Sequence, residues 1–275
     1  MSERQSYEPG VPCWVETLQP DPEAAKTFYG DLFGWDFAGP GGMPQADGRY
    51  YVARLADCDV AGVGCQPAEI AGQPAAWTTQ VSVENVDAAA GRVRRAGGTV
   101  VAGPMDVSPA GRLAVVTDPN GAVLCVWEAG NRAGAQRINE AGAWSMSILN
   151  TPDGDSAEGF YGTVFGWRAE TLDPERGLKL WRLPGYVGGE PSQPVPRDVV
   201  AVMAAANGNG TSGHGPAHWA IDFWVDDADR AVERAVAGGG TVLVPVHEIP
   251  MFRQAVIADP WGAAFSVSQL MLGRG

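Results

Sequence analysis

Four side chains of this 275-residue chain stand out as able to do chemistry from inside a fold: Glu16, Cys125, His218 and Asp222. Each sits in a stretch whose apolar and polar residues alternate. Glu16 follows Trp14 on such a stretch, and a carboxylate among aromatic rings has reason for a raised pKa, so it is a candidate general base. A structural hydrogen-bonding role competes with that reading. His218 and Asp222 lie on one strand face, as candidates to satisfy each other or to hold polar groups of a ligand. Cys125 could be a nucleophile, but its half of the chain contains no His to activate it. A buried, inert thiol fits better. His214 lies in a glycine-rich segment, either simply exposed or a proton shuttle on a lid. His247, near Pro245 and Pro250, reads as a surface residue. Arg112 and Arg253 occupy equivalent places and suit either a shared salt bridge or an acidic ligand.

Composition narrows the partners. The net charge of −13 and pI near 4.6 argue against nucleic acid and against anionic membranes. An apolar fraction of 45% and ten Trp indicate a globular protein. The four Cys form no CxxC pair and all fall in the first half, which favours reduced thiols and a cytoplasmic protein over a disulfide framework. Residues 1–11 lack the apolar core of a signal peptide, and no apolar run has membrane-spanning length. No phosphate-cradling glycine motif occurs. Neither nucleic acid nor a membrane is an expected partner, and a monomer or homodimer is the expected state.

The elements that must position these residues come from a repeat. Phe28-Tyr29-Gly30-Asp31-Leu32-Phe33-Gly34-Trp35 returns as Phe160-Tyr161-Gly162-Thr163-Val164-Phe165-Gly166-Trp167. Trp77 returns as Trp219, Gly97-Gly98-Thr99-Val100 as Gly239-Gly240-Thr241-Val242, and Asp118-Pro119-Asn120-Gly121 as Asp259-Pro260-Trp261-Gly262. A duplicated chain is expected to be built around pseudo-two-fold axes. In the first copy, a strand over 11–19 is followed by Asp21 as helix N-cap, Pro22 at the first helical position and Gly34 as the stop. Strands over 35–37, 49–55 and 60–65 complete a β-α-β-β-β module. The spacing predicts further modules over 77–127, 143–205 and 217–270. The result is an α+β fold of four modules in two tandem domains, 12–128 and 143–270, joined by a linker over 129–142 rich in Ala, Gly, Asn and Arg. The segment 205–215, rich in Gly, is expected to be a mobile loop or lid.

Two modules together make a curved sheet whose concave face is a natural ligand cup. Period-two alternation sorts the side chains. Trp14, Glu16 and Leu18; Thr78, Gln80 and Ser82; and Val123, Cys125 and Trp127 are expected to face the first cup. His218, Ala220, Asp222 and Trp224, with Ala264, Ser266 and Ser268, are expected to face the second. In the third module the spacing suggests Ser145, Ser147 and Leu149, with the register open. Trp77, Trp144 and Trp219 are assigned to the core. Glu16, Asp222 and His218 are thus the catalytic candidates. Trp14, Gln80, Cys125, Trp127, Trp224 and Ser266 are the ligand-lining ones, and aromatic walls suit a flat, partly apolar molecule.

On the helix Glu23-Ala24-Ala25-Lys26-Thr27-Phe28-Tyr29 ending in Leu32-Phe33-Gly34-Trp35, the Ala96-Gly97-Gly98 helix end and both Asp-Pro-x-Gly turns, the chain resembles the vicinal-oxygen-chelate superfamily, the glyoxalase/bleomycin-resistance/dioxygenase fold. It looks most like a duplicated actinobacterial subgroup labelled hydroxylase-like or glyoxalase-like. Metal-dependent members place His or Glu on the first strands of paired modules and a Glu in the closing strand. Here the closing-strand positions hold Cys125 and Ser266, and the first-strand positions hold Trp14, Thr78, a Ser near 145–147 and Ala220. No cofactor is therefore expected, although a divalent metal on His218, Asp222 and Glu16 is conceivable if modules pair across domains. The resemblance implies a metal-independent protein that binds, sequesters or processes a small, partly aromatic metabolite or antibiotic. A metal-dependent glyoxalase-like lyase, dioxygenase or hydroxylase is the alternative, and an interaction protein with vestigial cups a third reading.

Overall fold

A computed structural model describes residues 3–42, 48–188, 196–205 and 216–271. The expected Gly-rich lid, with His214, lies outside the described residues.

The first module runs β1 (Pro12–Gln19), α1 (Pro22–Phe33), β2 (Asp36–Gly42), β3 (Arg49–Leu55) and β4 (Cys58–Cys65). The Asp21 carboxylate accepts from the backbone N–H groups of Glu23 and Ala24, and Gly34 ends the helix in the left-handed conformation, φ 74°. These are the start and stop that the side-chain chemistry dictates. The second module is β5 (Ala76–Ser82), α2 (Val86–Arg95), β6 (Thr99–Val107), β7 (Gly111–Thr117) and β8 (Val123–Ala129). The third is β9 (Trp144–Thr151), α3 (Gly154–Phe165), β10 (Arg168–Asp173), β11 (Leu178–Arg182) and β12 (Val199–Ala205). The fourth is β13 (His218–Trp224), α4 (Ala228–Ala237), β14 (Thr241–Ile249), β15 (Phe252–Ala258) and β16 (Ala264–Leu270).

Each half of the chain makes one eight-stranded sheet, in the orders β2-β3-β4-β1-β5-β8-β7-β6 and β10-β11-β12-β9-β13-β16-β15-β14. The two modules of a half join where β1 meets β5, or β9 meets β13, antiparallel. Sheets therefore form within a half, but the cores form between halves. Phe28, Tyr29, Phe33 and Trp35 of the first module share one core with Ile221, Phe223, Phe265 and Val267 of the fourth. Val81, Val93, Leu124 and Val126 of the second share another with Phe160, Tyr161, Phe165 and Trp167 of the third. The two sheets thus pack through their helical faces, and Thr79 of β5 meets Ser147 of β9 with hydroxyls 2.7 Å apart. Both concave faces point outward.

A repeated hydrogen-bond chain ties this junction. Trp77 Nε1 donates to the Tyr29 hydroxyl at 3.1 Å, which donates to Asp259 Oδ2 at 2.8 Å. Trp219 Nε1 donates to the Tyr161 hydroxyl at 3.0 Å, which donates to Asp118 Oδ2 at 3.1 Å. The other carboxylate oxygen of each Asp accepts two backbone N–H groups of its own Asp-Pro-x-Gly turn. The twins differ in one partner: Gln19 Nε2 also donates to Asp259 Oδ2, at 2.7 Å.

That difference sets an order of stabilities. Removing a hydroxyl orphans a buried indole N–H and a carboxylate oxygen, each costing about 1–3 kcal/mol. Tyr161→Phe is expected to lower unfolding free energy in urea by about 1 kcal/mol more than Tyr29→Phe, because Gln19 still serves Asp259. Equal losses, or the reverse order, contradict this account of the junction.

Candidate functional site

The first cup is built on the strands β1, β5 and β8. Register places Trp14 opposite Gln80 and Gln80 beside Cys125, while Glu16 lies between Thr78 and Gly62. Trp14, Glu16, Gln80, Cys125 and Trp127 therefore share the concave face, as the alternation predicts. Tyr50 of β3 joins them. Its ring occupies the space over Gly62, where a Cβ would stand 1.9 Å from the Tyr50 hydroxyl. Trp14 Nε1 donates to that hydroxyl at 2.9 Å, and the hydroxyl donates to Glu16 Oε2 at 2.6 Å. Burial and the nearby Glu16 carboxylate push the Tyr50 hydroxyl's pKa well up, so it stays a donor. Burial likewise pushes the Cys125 thiol well above its ordinary value, with the Glu16 charge adding. A thiol held neutral, with no His among its perturbing neighbours in the described residues, fits the buried, inert reading.

This cup is closed. The segment expected as a plain linker lies over its mouth: the N–H groups of Gly130 and Arg132 donate to Ala110 O, and Ala135 N–H donates to Cys13 O. Trp14, Gln80, Cys125 and Trp127 are all buried beneath it.

The second cup is built on β9, β13, β15 and β16. Asp222 pairs with Met146 on one side and Ser266 on the other, so Met146, Ile148, Ala220, Asp222 and Trp224 line one face with Ser266 and Ser268. The expectation for β9 is corrected here. An irregularity between Asp222 and Phe223 inserts one residue, so Ser147 and Leu149 turn to the interdomain side. Ser145, the extra residue, still reaches the cup and donates to Asp222 Oδ2 at 2.6 Å. Ser268 Oγ donates to Oδ1 at 2.7 Å, with Gln254 Nε2 at 3.4 Å. Around this carboxylate the walls are half-buried and mostly apolar: Met146, Ile148, Ala220, Trp224 and Phe252. The Trp224 and Phe252 rings stand 6.0 Å apart.

The three catalytic candidates do not converge. Glu16 belongs to the first cup and Asp222 to the second. His218 sits at the exposed start of β13, Nδ1 3.0 Å from Pro216 O, and four residues along an extended strand put it roughly 13 Å from Asp222. His247 is exposed near Pro245 O. Arg112 and Arg253 pair with Asp87 and Asp229, the salt-bridge reading. Trp77, Trp144 and Trp219 are core residues. Ser145 reaches the cup as the spacing suggests, whereas Tyr50, Arg132 and Gln254 escaped sequence reasoning. Alternation along β15 could have found Gln254, and nothing in the local sequence marks Arg132.

The donor sets do not fit a divalent transition metal. Such a site needs three or four converging His, Cys or carboxylate ligands. Among the described residues no group of three or more His, Cys, Asp or Glu could hold an ion. Each cup floor offers one carboxylate, with hydroxyl, amide or neutral thiol neighbours.

Residues 14–126 match the glyoxalase/bleomycin resistance protein/dioxygenase superfamily, and residues 146–268 match the family described as a glyoxalase-like domain. The chain is 35% identical to CFP32 of Mycobacterium tuberculosis, provisionally named a glyoxylase, over 97% of both chains. It is 34% identical to the anthracycline biosynthesis protein DnrV of Streptomyces peucetius, over 97% of this chain and 96% of that one. Among solved structures it superposes on the Mn(II)-bound glyoxalase of Novosphingobium aromaticivorans with a TM-score of 0.62 and 16% identity, covering 98% of this chain and 83% of that chain. At that identity the likeness shows the fold. The chain belongs to the glyoxalase/bleomycin resistance protein/dioxygenase superfamily, as two tandem domains.

Asp222 is 5% exposed, and burial pushes its carboxyl up to about 6, partly offset by hydrogen bonds from Ser145, Ser268, Ser266 and Gln254. A carboxyl whose folded pKa exceeds its unfolded value stabilises the fold fully below the unfolded pKa, and that contribution is lost as pH rises through the folded one. The window here runs from 3.8 to about 6. Asp222→Asn removes this titration, so the variant's unfolding free energy relative to wild type should rise by about 2 kcal/mol between about pH 4 and pH 7. Any fixed loss from poorer hydrogen bonding is the same at both pH values. A pH-independent difference contradicts the assignment.

Proposed function

We propose that this protein binds a small, partly aromatic organic molecule in the second cup, without a metal, with Asp222 as its polar anchor. One observation carries the reading: a single buried carboxylate, held by hydroxyl and amide donors, at the floor of a half-open apolar concavity lined by Met146, Ile148, Ala220, Trp224 and Phe252. Apolar walls with few fixed polar groups suit a flat ligand, and the carboxylate orients it through a phenol, enol or amine donor. A carboxyl pushed to about 6 also exchanges protons with such a group near neutral pH. The ligand is therefore either sequestered or processed by acid–base chemistry. Kinship with a protein named for anthracycline biosynthesis supports a polycyclic aromatic ligand.

A hydroxylated anthraquinone is a suitable probe. It is expected to bind once per chain, quench indole fluorescence and bind equally well after treatment with EDTA. Ala220→Trp, which fills the cup, should abolish binding. Asp222→Asn should weaken it about tenfold or more, the equivalent of a lost hydrogen bond to a charged group. Binding that survives Ala220→Trp sinks the choice of cup. A stoichiometric divalent ion in the purified protein, needed for binding, favours the metal-dependent lyase, dioxygenase or hydroxylase instead.

A further inference from the structure

The Arg132 guanidinium carbon lies 4.9 Å from the Trp14 ring, 5.1 Å from the Trp127 ring and 5.4 Å from the Tyr50 ring. All three are within the distance at which a ring's negative face attracts a cation. Three aromatic walls around one positive group form a cage. The Glu16 carboxylate, 9% exposed, sits on the same face and is oriented by the Tyr50 hydroxyl. Gln80, 1% exposed and central on the same face, has a side-chain oxygen and nitrogen without any partner among the described residues. A deep pocket with ring faces, a carboxylate and an unused amide oxygen is electrostatically a site for a cation bearing N–H donors.

Arg132 sits among the three rings without pairing with the carboxylate beside them. Its backbone is held at the mouth, where its N–H donates to Ala110 O at 3.2 Å and its carbonyl accepts from Trp127 Nε1 at 3.0 Å. From there the guanidinium comes within 4.0 Å of no carboxylate among the described residues, Glu16 included. An untethered cation is free of that leash and can approach Glu16 and Gln80 together. The second sheet has nothing comparable. Register puts Met146, Ile148, Leu178 and Ser268 where the first has Trp14, Glu16, Tyr50 and Trp127, and Val202 where the first has the permissive Gly62.

We propose that the first cup is an aromatic-cage binding site for a guanidinium- or ammonium-bearing small molecule, which the protein's own Arg132 occupies as an internal stand-in until the segment after β8 is displaced. The two cups then differ in ligand as well as in access: a tethered cation site in one half, an open aromatic site in the other.

Chemical rescue in the full chain tests this. Arg132→Ala is expected to lower the thermal midpoint, and methylguanidinium at non-denaturing millimolar concentration to restore it. Calorimetric titration should give saturable binding of methylguanidinium to Arg132→Ala at least about tenfold tighter than to wild type. The added Glu16→Gln substitution should remove most of that gain, while Ala220→Trp, confined to the second cup, should leave it intact. Should Arg132→Ala not fold, Arg132→Gln keeps a shorter, neutral polar side chain and the backbone bonds, and intermediate affinity is expected. Equal weak binding to wild type and to whichever Arg132 variant folds overturns the proposal. So does binding indifferent to Glu16→Gln, or binding lost with Ala220→Trp.

Discussion

The tyrosine hydroxyl that joins an indole N–H to the aspartate of the opposite half organises the molecule. Tyr29 lies on α1 and Asp259 on the turn between β15 and β16; Tyr161 lies on α3 and Asp118 on the turn between β7 and β8. Neither Asp would be tolerated in an apolar interior without its donors, since a buried carboxylate lacking partners is costly. Those donors come from two places, the Asp's own turn and the other half of the chain. The halves must therefore pack helix side to helix side. Aromatic rings then fill the junction: Tyr29 stacks on Phe33 and Trp35, and Trp77 stands edge-on to Phe223 at 5.0 Å. Once both helical faces are spent on each other, the concave faces are the sheet faces that the junction leaves free.

Duplication fixed that frame and left the concave faces free to diverge. Gln80 and Asp222 occupy matching register positions, each beside a residue of the closing strand, Cys125 or Ser266. One is a neutral amide without a partner among the described residues and the other a carboxylate held by hydroxyl and amide donors. The aromatic residues went the same way, with Trp14, Tyr50 and Trp127 gathered in the first cup around Arg132. The second has Trp224 and Phe252 in its walls, their rings 6.0 Å apart.

Sequence reading succeeded where geometry is local. Helix caps at Asp21 and Gly34 act within a few residues, and alternation along β1, β5, β8, β13 and β16 sorted core from cup because period two is a property of the strand itself. It failed on β9, where one inserted residue at Ser145 swaps the faces of every later position. Arg132 lay beyond reach for a different reason. Its three ring partners come from β1, β3 and β8, and only the closed sheet brings them together. The failure of Glu16 to meet Asp222 and His218 is topological too: strands pair within halves, so a set drawn from both halves falls on two different sheets.

The same topology bears on the chemistry available to each cup. A metal ion would neutralise a lone carboxylate and relieve its desolvation, but it needs further anionic or imidazole ligands close by. At Asp222 those places are filled by serine hydroxyls and an amide, which donate hydrogen bonds to the carboxylate. Such donors lower the cost of burying the charge without removing it, and so the carboxyl rests near 6, between its free value and that of a group kept fully neutral. A group poised there responds to what sits on it. A donor placed against it would draw it towards the anion, and an apolar surface pressed over it would draw it towards the acid, so in the proposed binding role the protonation of Asp222 would depend on what occupies the cup.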